Sequence, residues 1–284
     1  MIGSTSENNR VIFMFLFKCN YVERNMTEKP LAMIFDVDGT LADTERDGHR
    51  VAFNKAFTEA GLDWCWSVEQ YGKLLRITGG QERMKGYLLD NPINNIEIND
   101  IEKLIAGLHK QKNRFYDDIV RSGETPLRSG VERLLNEGRQ QGVRLAIATT
   151  TTRSNVVALL EANLGPDSLG WFEVIATADE VPDKKPSPAV YDYVLDKMGL
   201  SASDCLVLED SQNGLRAAHA ANLPTLVTIN SYTQGDDLTG AELVIDQFGE
   251  PDDSMTVIGG SKASRLSAGT NFIDMQAIRQ IMHD

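Results

Sequence analysis

Five short, continuous apolar runs constrain the architecture most: LAMIFDVD (31–38), VRLAIAT (143–149), FEVIATA (172–178), CLVLED (205–210) and PTLVTIN (224–230). Runs without polar alternation suit strands of a parallel sheet covered on both faces. Helical patterns fill most of the intervals. VERLLNEGRQQG (131–142) sets Val131, Leu134 and Leu135 on one stripe and stops at Gly142. SPAVYDYVLDKMG (187–199) places Ser187 as N-cap, Pro188 in the first turn and Gly199 as C-cap, with Val190, Val194 and Met198 recurring every four residues. Alternating strand and helix predicts a doubly wound α/β core.

One interval breaks the alternation. Between 44 and 122 only helical periodicity is visible, through Phe53, Phe57 and Ala60, then Leu74 and Leu75, then Met84, Tyr87 and Leu88, then Ile101, Leu104, Ile105 and Leu108. The re-entry, RSGETPLRSG (121–130), carries the hinge residues Gly123, Pro126 and Gly130. We therefore expect an inserted helical cap domain at 44–122 on a core formed by 31–43 and 123–248. Residues 1–30 are expected to be a disordered extension. Residues 249–284 are expected to be a C-terminal extension ending in a helix at FIDMQAIRQIMHD, and Trp64 and Trp66 are expected to pack the cap.

Charge and cysteine usage narrow the partners. With a net charge of −13, the 284-residue chain repels phosphate backbones, which argues against nucleic acid as a partner. The run VIFMFLF (11–17) is too short to span a bilayer. Cys19, Cys65 and Cys205 are far apart and odd in number, as in a reducing, cytoplasmic setting. We expect a monomer acting on a small molecule.

The ends of the expected strands carry the chemistry. The first runs into Asp36 and Asp38, the second into Thr149-Thr150-Thr151, the third towards Lys184-Lys185-Pro186-Ser187, and the fourth into Glu209-Asp210. In a parallel sheet these ends share one edge, where open α/β folds bind ligands. Strand alternation would put Asp36 and Asp38 on one side. Asp36, Asp38 and Asp210 are an oxygen donor set suited to Mg²⁺. A hydroxyl and an ammonium beside them can hold a phosphoryl group, whose transfer needs positioning and charge neutralisation. One aspartate can be the nucleophile and the other a general acid and base. Each feature has a plainer reading by itself: a DxD is often an Asx turn, and Glu209-Asp210 could cap the next helix. Their arrival in order at successive strand ends favours the joint reading. GxxxxGK[ST], HExxH and GxSxG are all absent.

At these residues the chain resembles the haloacid dehalogenase superfamily, through DVDGTL (36–41), Thr149 after LAIA, Lys185 before proline, and LEDSQNG (208–214). The likeness covers about 31–248 and is nearest to the CbbY-type group, whose members dephosphorylate sugar bisphosphates such as xylulose 1,5-bisphosphate. The resemblance implies a Mg²⁺-dependent phosphatase with an aspartyl-phosphate intermediate. Asp36 would be nucleophile and Asp38 acid and base, with Thr149 and Lys185 completing the catalytic set. The metal would be held by Asp36, the Asp38 carbonyl and Asp210, with Glu209 near. Dehalogenase members lack the second aspartate, so Asp38 favours phosphate chemistry.

Specificity is expected from the cap. GGQER gives Gly79, Gly80, Gln81, Glu82 and Arg83 at a helix start, where amides favour anions. Glu45 and His49 stand one turn apart, and His109 and Lys112 share a helix face. With Thr150, Thr151 and Asn155, these are the candidate substrate contacts, against the plainer reading of a solvated cap surface. Among enzymes the rival is a β-phosphoglucomutase-like mutase. Outside them stand a phosphoaccepting signalling module, which would lack the helical insertion, and a phosphosugar-binding protein without turnover.

Overall fold

The computed structural model describes residues 32–77, 79–92 and 98–282. The expected N-terminal extension, with VIFMFLF and Cys19, lies outside them. Among the described residues no helix is long and apolar enough to cross a membrane.

The apolar runs form one sheet. Its strands are β1 (Ala32–Phe35), β2 (Arg144–Ala148), β3 (Val174–Ala176), β4 (Cys205–Glu209), β5 (Thr225–Thr228), β6 (Leu243–Ile245) and β7 (Val257–Gly259). Their order is β3-β2-β1-β4-β5-β6-β7. All pairs are parallel except β6 with β7. The chain leaves β1 for β2 on one side and later reaches β4 on the other, so the topological switch point falls at β1. Phe35 is level with Ile147 and Leu208, which brings the next residues, Asp36, Ala148 and Glu209, to one edge. β6 and β7 lie outside the expected strands, since neither sits in an apolar run as long as the FEVIATA that marks the equally short β3. β7 is an edge strand that leaves Val257 and Ile258 exposed.

Between β1 and the next helix of the core, every described element is helical. A π-helical turn (Thr44–His49) runs into α1 (Arg50–Glu59), followed by α2 (Val68–Leu74), α3 (Gly80–Asp90) and α4 (Ile98–Arg121). These helices enclose a second apolar cluster, in which Phe53, Phe57, Trp66, Tyr71, Met84 and Ile105 are wholly buried. Each such side chain contributes about 1.5–3 kcal/mol on burial. Ala60 lies past the end of α1 and is exposed. The two connections to the sheet run side by side, with Arg128 N donating to Leu41 O at 2.8 Å.

The remaining helices are α5 (Val131–Gln140), α6 (Arg153–Leu164), α7 (Ala189–Met198), α8 (Gln212–Ala220) and α9 (Met275–Met282). The Val190, Val194 and Met198 stripe of α7 packs on Ala32, Ile34 and Val207 of the sheet. α7 begins one residue later than its sequence indicates, with Pro188 at the cap position and Gly199 left-handed at the other end. Ser187 N–H donates to Lys184 O at 3.0 Å in the preceding turn, while its hydroxyl accepts from Ala189 N at 3.4 Å, the capping contact its sequence position indicates. The chain beyond 248 is fastened to α5 by Arg133, which donates to Ile273 O at 2.9 Å and to Glu250 at 2.8 Å. Arg128 likewise gathers loop carbonyls, donating to Gly39 O, to Ile229 O at 2.6 Å and to Asp246 O at 2.7 Å.

Candidate active site

The β1 ladder stops at Phe35, so Asp36 leaves the sheet edge while Asp38 sits in a turn closed by Leu41 N on Val37 O at 3.0 Å. Strand alternation therefore does not set the direction of Asp38. Its carboxylate accepts from Thr44 Oγ1 at 2.5 Å and lies 3.8 Å from His49 Nε2. Asp36 is buried and accepts from Lys185 Nζ at 2.6 Å. Lys185, whose side chain is 8% exposed, also donates to Ala148 O at 3.0 Å and Glu209 Oε1 at 2.5 Å. The same Glu209 oxygen accepts from Tyr191 OH at 2.6 Å. Asp210 accepts from Asn230 Nδ2 at 2.7 Å.

Asp36, Glu209 and Asp210 offer oxygens within 4.8 Å of one another, close enough to share one cation. The Asp38 carboxylate is not in that group, because Thr44 holds it aside. Burial pushes the Asp36 carboxyl up to about 7; Lys185 pulls it down, while Glu209 and Asp38 push it further up. Burial, Glu209 and Asp36 hold Asp210 well above the usual carboxylate range. Such crowding of buried acids around one ammonium disfavours their charged forms unless a cation joins them. All-oxygen donors suit a hard ion such as Mg²⁺. Gly39, with φ of 95°, permits the close approach: a Cβ there would stand 2.1 Å from Asp210 Oδ2.

A cleft of about 1340 Å³ joins these acids to the helical segment. Asp36, Asp38, Lys185 and Asp210 line one wall; Gly79, Gly80, Arg83, His109 and Lys112 line the other. Glu45 and His49 also face the cleft. Arg83, one turn into α3, is buried and donates to Tyr71 OH at 2.8 Å and Leu74 O at 3.2 Å. Tyr71 OH in turn donates to Glu45 at 2.5 Å. Lys112 Nζ lies 2.9 Å from His49 Nδ1, and the His49 ring stacks on Tyr116 at 3.8 Å. Burial lowers the Lys112 ammonium to about 8. His49 is held well below its usual value by burial, then by Lys112.

Not every candidate reaches the cleft. Thr150 and Thr151 line it, whereas Thr149 is buried behind them and accepts from Thr151 N at 3.2 Å. Asn155 acts through Thr151, donating to its hydroxyl at 2.9 Å. Gln81 and Glu82 do not line the cleft: the turn of α3 that brings Arg83 inward carries them past it. Five of the partners just described went unread in the sequence, namely Thr44, Tyr71, Tyr116, Tyr191 and Asn230. Asn230 had a signal, since it closes the fifth apolar run at the same sheet edge. The tyrosines gave none, because their partners are brought together only by tertiary packing.

Paired acids and one lysine at a sheet edge, opposite a cationic wall, are equipped to bind a phosphorylated ligand and to form and break a phosphoryl bond. A family model described as haloacid dehalogenase-like hydrolase matches residues 31–222. The plasmid-encoded CbbY protein of Cupriavidus necator is 47% identical over 79% of this chain and 88% of its own. CbbY of Rhodobacter capsulatus is 48% identical over 74% and 90%. A solved CbbY variant from Rhodobacter sphaeroides, in complex with xylulose 1,5-bisphosphate, superposes with a TM-score of 0.68 at 39% identity, covering 78% of this chain and 96% of that one.

Proposed function

The chain belongs to the haloacid dehalogenase-like hydrolases and is a sugar phosphatase of that family; from that premise we propose that it removes one phosphate from a pentulose bisphosphate such as xylulose 1,5-bisphosphate, through an aspartyl-phosphate on Asp36. The observation carrying this reading is the two-walled cleft. One wall holds the acids and Lys185, and the other holds Arg83, His109, Lys112 and the Gly79-Gly80 amides. A monophosphate needs only the first. In a chain of net charge −13, a second cluster of anion-binding groups fits a second phosphate. The ligand in the Rhodobacter sphaeroides complex carries phosphates at both ends, which supports the same reading.

The steps fall to named groups. An Asp36 oxygen attacks phosphorus and the bond to the sugar oxygen breaks, while Asp38 gives its proton to that oxygen. Asp38 then takes a proton from water, whose oxygen attacks the phosphorus and returns Asp36 as carboxylate with release of phosphate. Burial, then the neighbouring Glu45, raises the Asp38 carboxyl to about 6, so it retains a proton to higher pH than an ordinary aspartate. Lys185, Thr150 and Thr151 hold the transferred group, and Thr149 braces that corner from behind by accepting from Thr151 N. Asp36, Asp210 and Glu209, with the Asp38 carbonyl, would hold Mg²⁺, which when bound supplies positive charge against the phosphoryl oxygens. We propose that helices α1 to α4 act as the cap that closes over the sugar.

Chelation is expected to abolish activity reversibly and to lower the melting temperature of the protein relative to its Mg²⁺-loaded form, since metal relieves the crowding of acids. Ca²⁺ should restore little activity, because its longer, looser coordination misplaces the in-line attack. Full turnover in excess EDTA would remove the metal from the reading.

Arg83→Ala tests the second phosphate. It should cost about 2–4 kcal/mol in kcat/KM on the bisphosphate, as for truncation of a buried charged partner. Arg83→Lys should recover part of it, retaining charge but not the fork. On p-nitrophenyl phosphate, too small to reach the distal wall, the loss should be much smaller. Equal losses on both substrates would mean that Arg83 supports the fold or the chemistry instead.

A further inference from the structure

The turn after β5 connects the two walls of the cleft. Asn230 Nδ2 donates to Asp210 Oδ2 at 2.7 Å, and its Oδ1 accepts from Tyr232 N at 2.9 Å. Its own N–H donates to Thr233 Oγ1 at 3.0 Å, which rigidifies the turn. The turn carries the Tyr232 ring out of the core and into the helical segment. There it meets Tyr71 edge-on, with centroids 5.9 Å apart, and joins the apolar cluster of α1 to α4. A notch in α2 receives it: a Cβ on Gly72 would stand 2.9 Å from the Tyr232 ring. Glycine inside a helix is unfavourable unless something needs the space. Tyr71, pressed by Tyr232, is the group whose hydroxyl accepts from Arg83 and donates to Glu45. The Tyr232 hydroxyl is buried without a hydrogen-bond partner among the described residues. Whatever this side chain contributes, its ring contributes it.

We infer that Tyr232 is a positioning residue: its ring docks the cap onto the core in the Gly72 notch and, through Tyr71, sets Arg83 for the distal phosphate. The docking stands by itself; only the substrate on which it shows rests on the bisphosphate reading. The turn thereby links the acid cluster to the distal grip, so that cap position and phosphate position are set together. Binding energy from a remote group is then available to align the reacting one.

The test uses Tyr232→Ala, Tyr232→Phe and Gly72→Leu in the full chain, with two readouts. The first is hydrogen exchange of the α2 amides without substrate. The second is the ratio of kcat/KM for xylulose 1,5-bisphosphate to that for p-nitrophenyl phosphate. Tyr232→Ala and Gly72→Leu should each raise α2 exchange by about tenfold or more, since the docking contact is lost. Each should lower the substrate ratio by about tenfold, the loss falling mainly on the larger substrate. Tyr232→Phe should match the native protein in both, because the hydroxyl has no partner to lose. Unchanged α2 exchange in both Tyr232→Ala and Gly72→Leu would overturn the inference, as would a Tyr232→Phe variant as impaired as Tyr232→Ala. Gly72→Leu leaves the core turn intact and decides the matter if Tyr232→Ala fails to fold. If the native protein does not prefer the bisphosphate, the proposed substrate falls, and α2 exchange alone judges Tyr232.

Discussion

Asp36→Asn is expected to abolish phosphate release, by on the order of 10⁶-fold, the scale of losing a covalent nucleophile. The amide has no carboxylate oxygen with which to form an acyl phosphate. The fold should survive the change. Lys185 would keep Glu209 Oε1 at 2.5 Å and Ala148 O at 3.0 Å. Removing one of the crowded acids also relieves the repulsion that helps hold Asp36 and Asp210 above the carboxylate range. The melting temperature without metal should therefore be unchanged or higher. Removing one partner of a buried pair usually costs stability, so a rise would identify this cluster as strained by its acids in the metal-free state. Turnover within about tenfold of the native rate, far short of the expected loss, would show that Asp36 is not the nucleophile.

The sheet edge was legible because its signals are local. Asp36, Thr149, Lys185 and Glu209-Asp210 each follow an apolar run, and a parallel sheet brings such ends to one side whatever the loops do. The apolar faces of the helical segment were legible for the same reason: Phe53, Phe57, Met84, Leu88, Ile105 and Leu108 recur at helical spacing and meet in one cluster. What escaped depends on approach between distant segments. Nothing near Tyr71 in the chain shows that its hydroxyl will stand between Glu45 and Arg83. Nothing near Tyr191 shows that Glu209 will accept from it. Asp38 escaped differently. Its direction follows from a ladder that ends at Phe35 and from the Thr44 hydroxyl, a residue inside the same DVDGTLADTE stretch. Alternation carried past the end of β1 grouped its carboxylate with those of Asp36 and Asp210, whereas the carboxylate accepts from Thr44 and the close oxygens are those of Asp36, Glu209 and Asp210. The short β6 and β7 are defined by their neighbours in the sheet rather than by any pattern of their own.

Asp38→Asn should lose about 10²–10⁴-fold on sugar phosphates, the usual contribution of general acid and base catalysis. The side chain has two duties, and the choice of leaving group separates them. A sugar alkoxide leaves poorly without a proton, so the first step fails when residue 38 cannot titrate. Nitrophenolate leaves without help. With p-nitrophenyl phosphate the variant should therefore transfer phosphate to Asp36 and stall, because no carboxylate remains to take the proton from the attacking water. A burst of one nitrophenolate per protein molecule, followed by slow turnover, is the expected trace. Mass spectrometry should then find the phosphoryl group on Asp36. The amide can still accept from Thr44 Oγ1, which in the native protein stands 2.5 Å from Asp38, so the loss should not come from a displaced side chain. Steady turnover of p-nitrophenyl phosphate from the first cycle would show that another group activates water. His49, 3.8 Å from Asp38 and held largely neutral at pH 7 by burial and Lys112, would be the next residue to substitute.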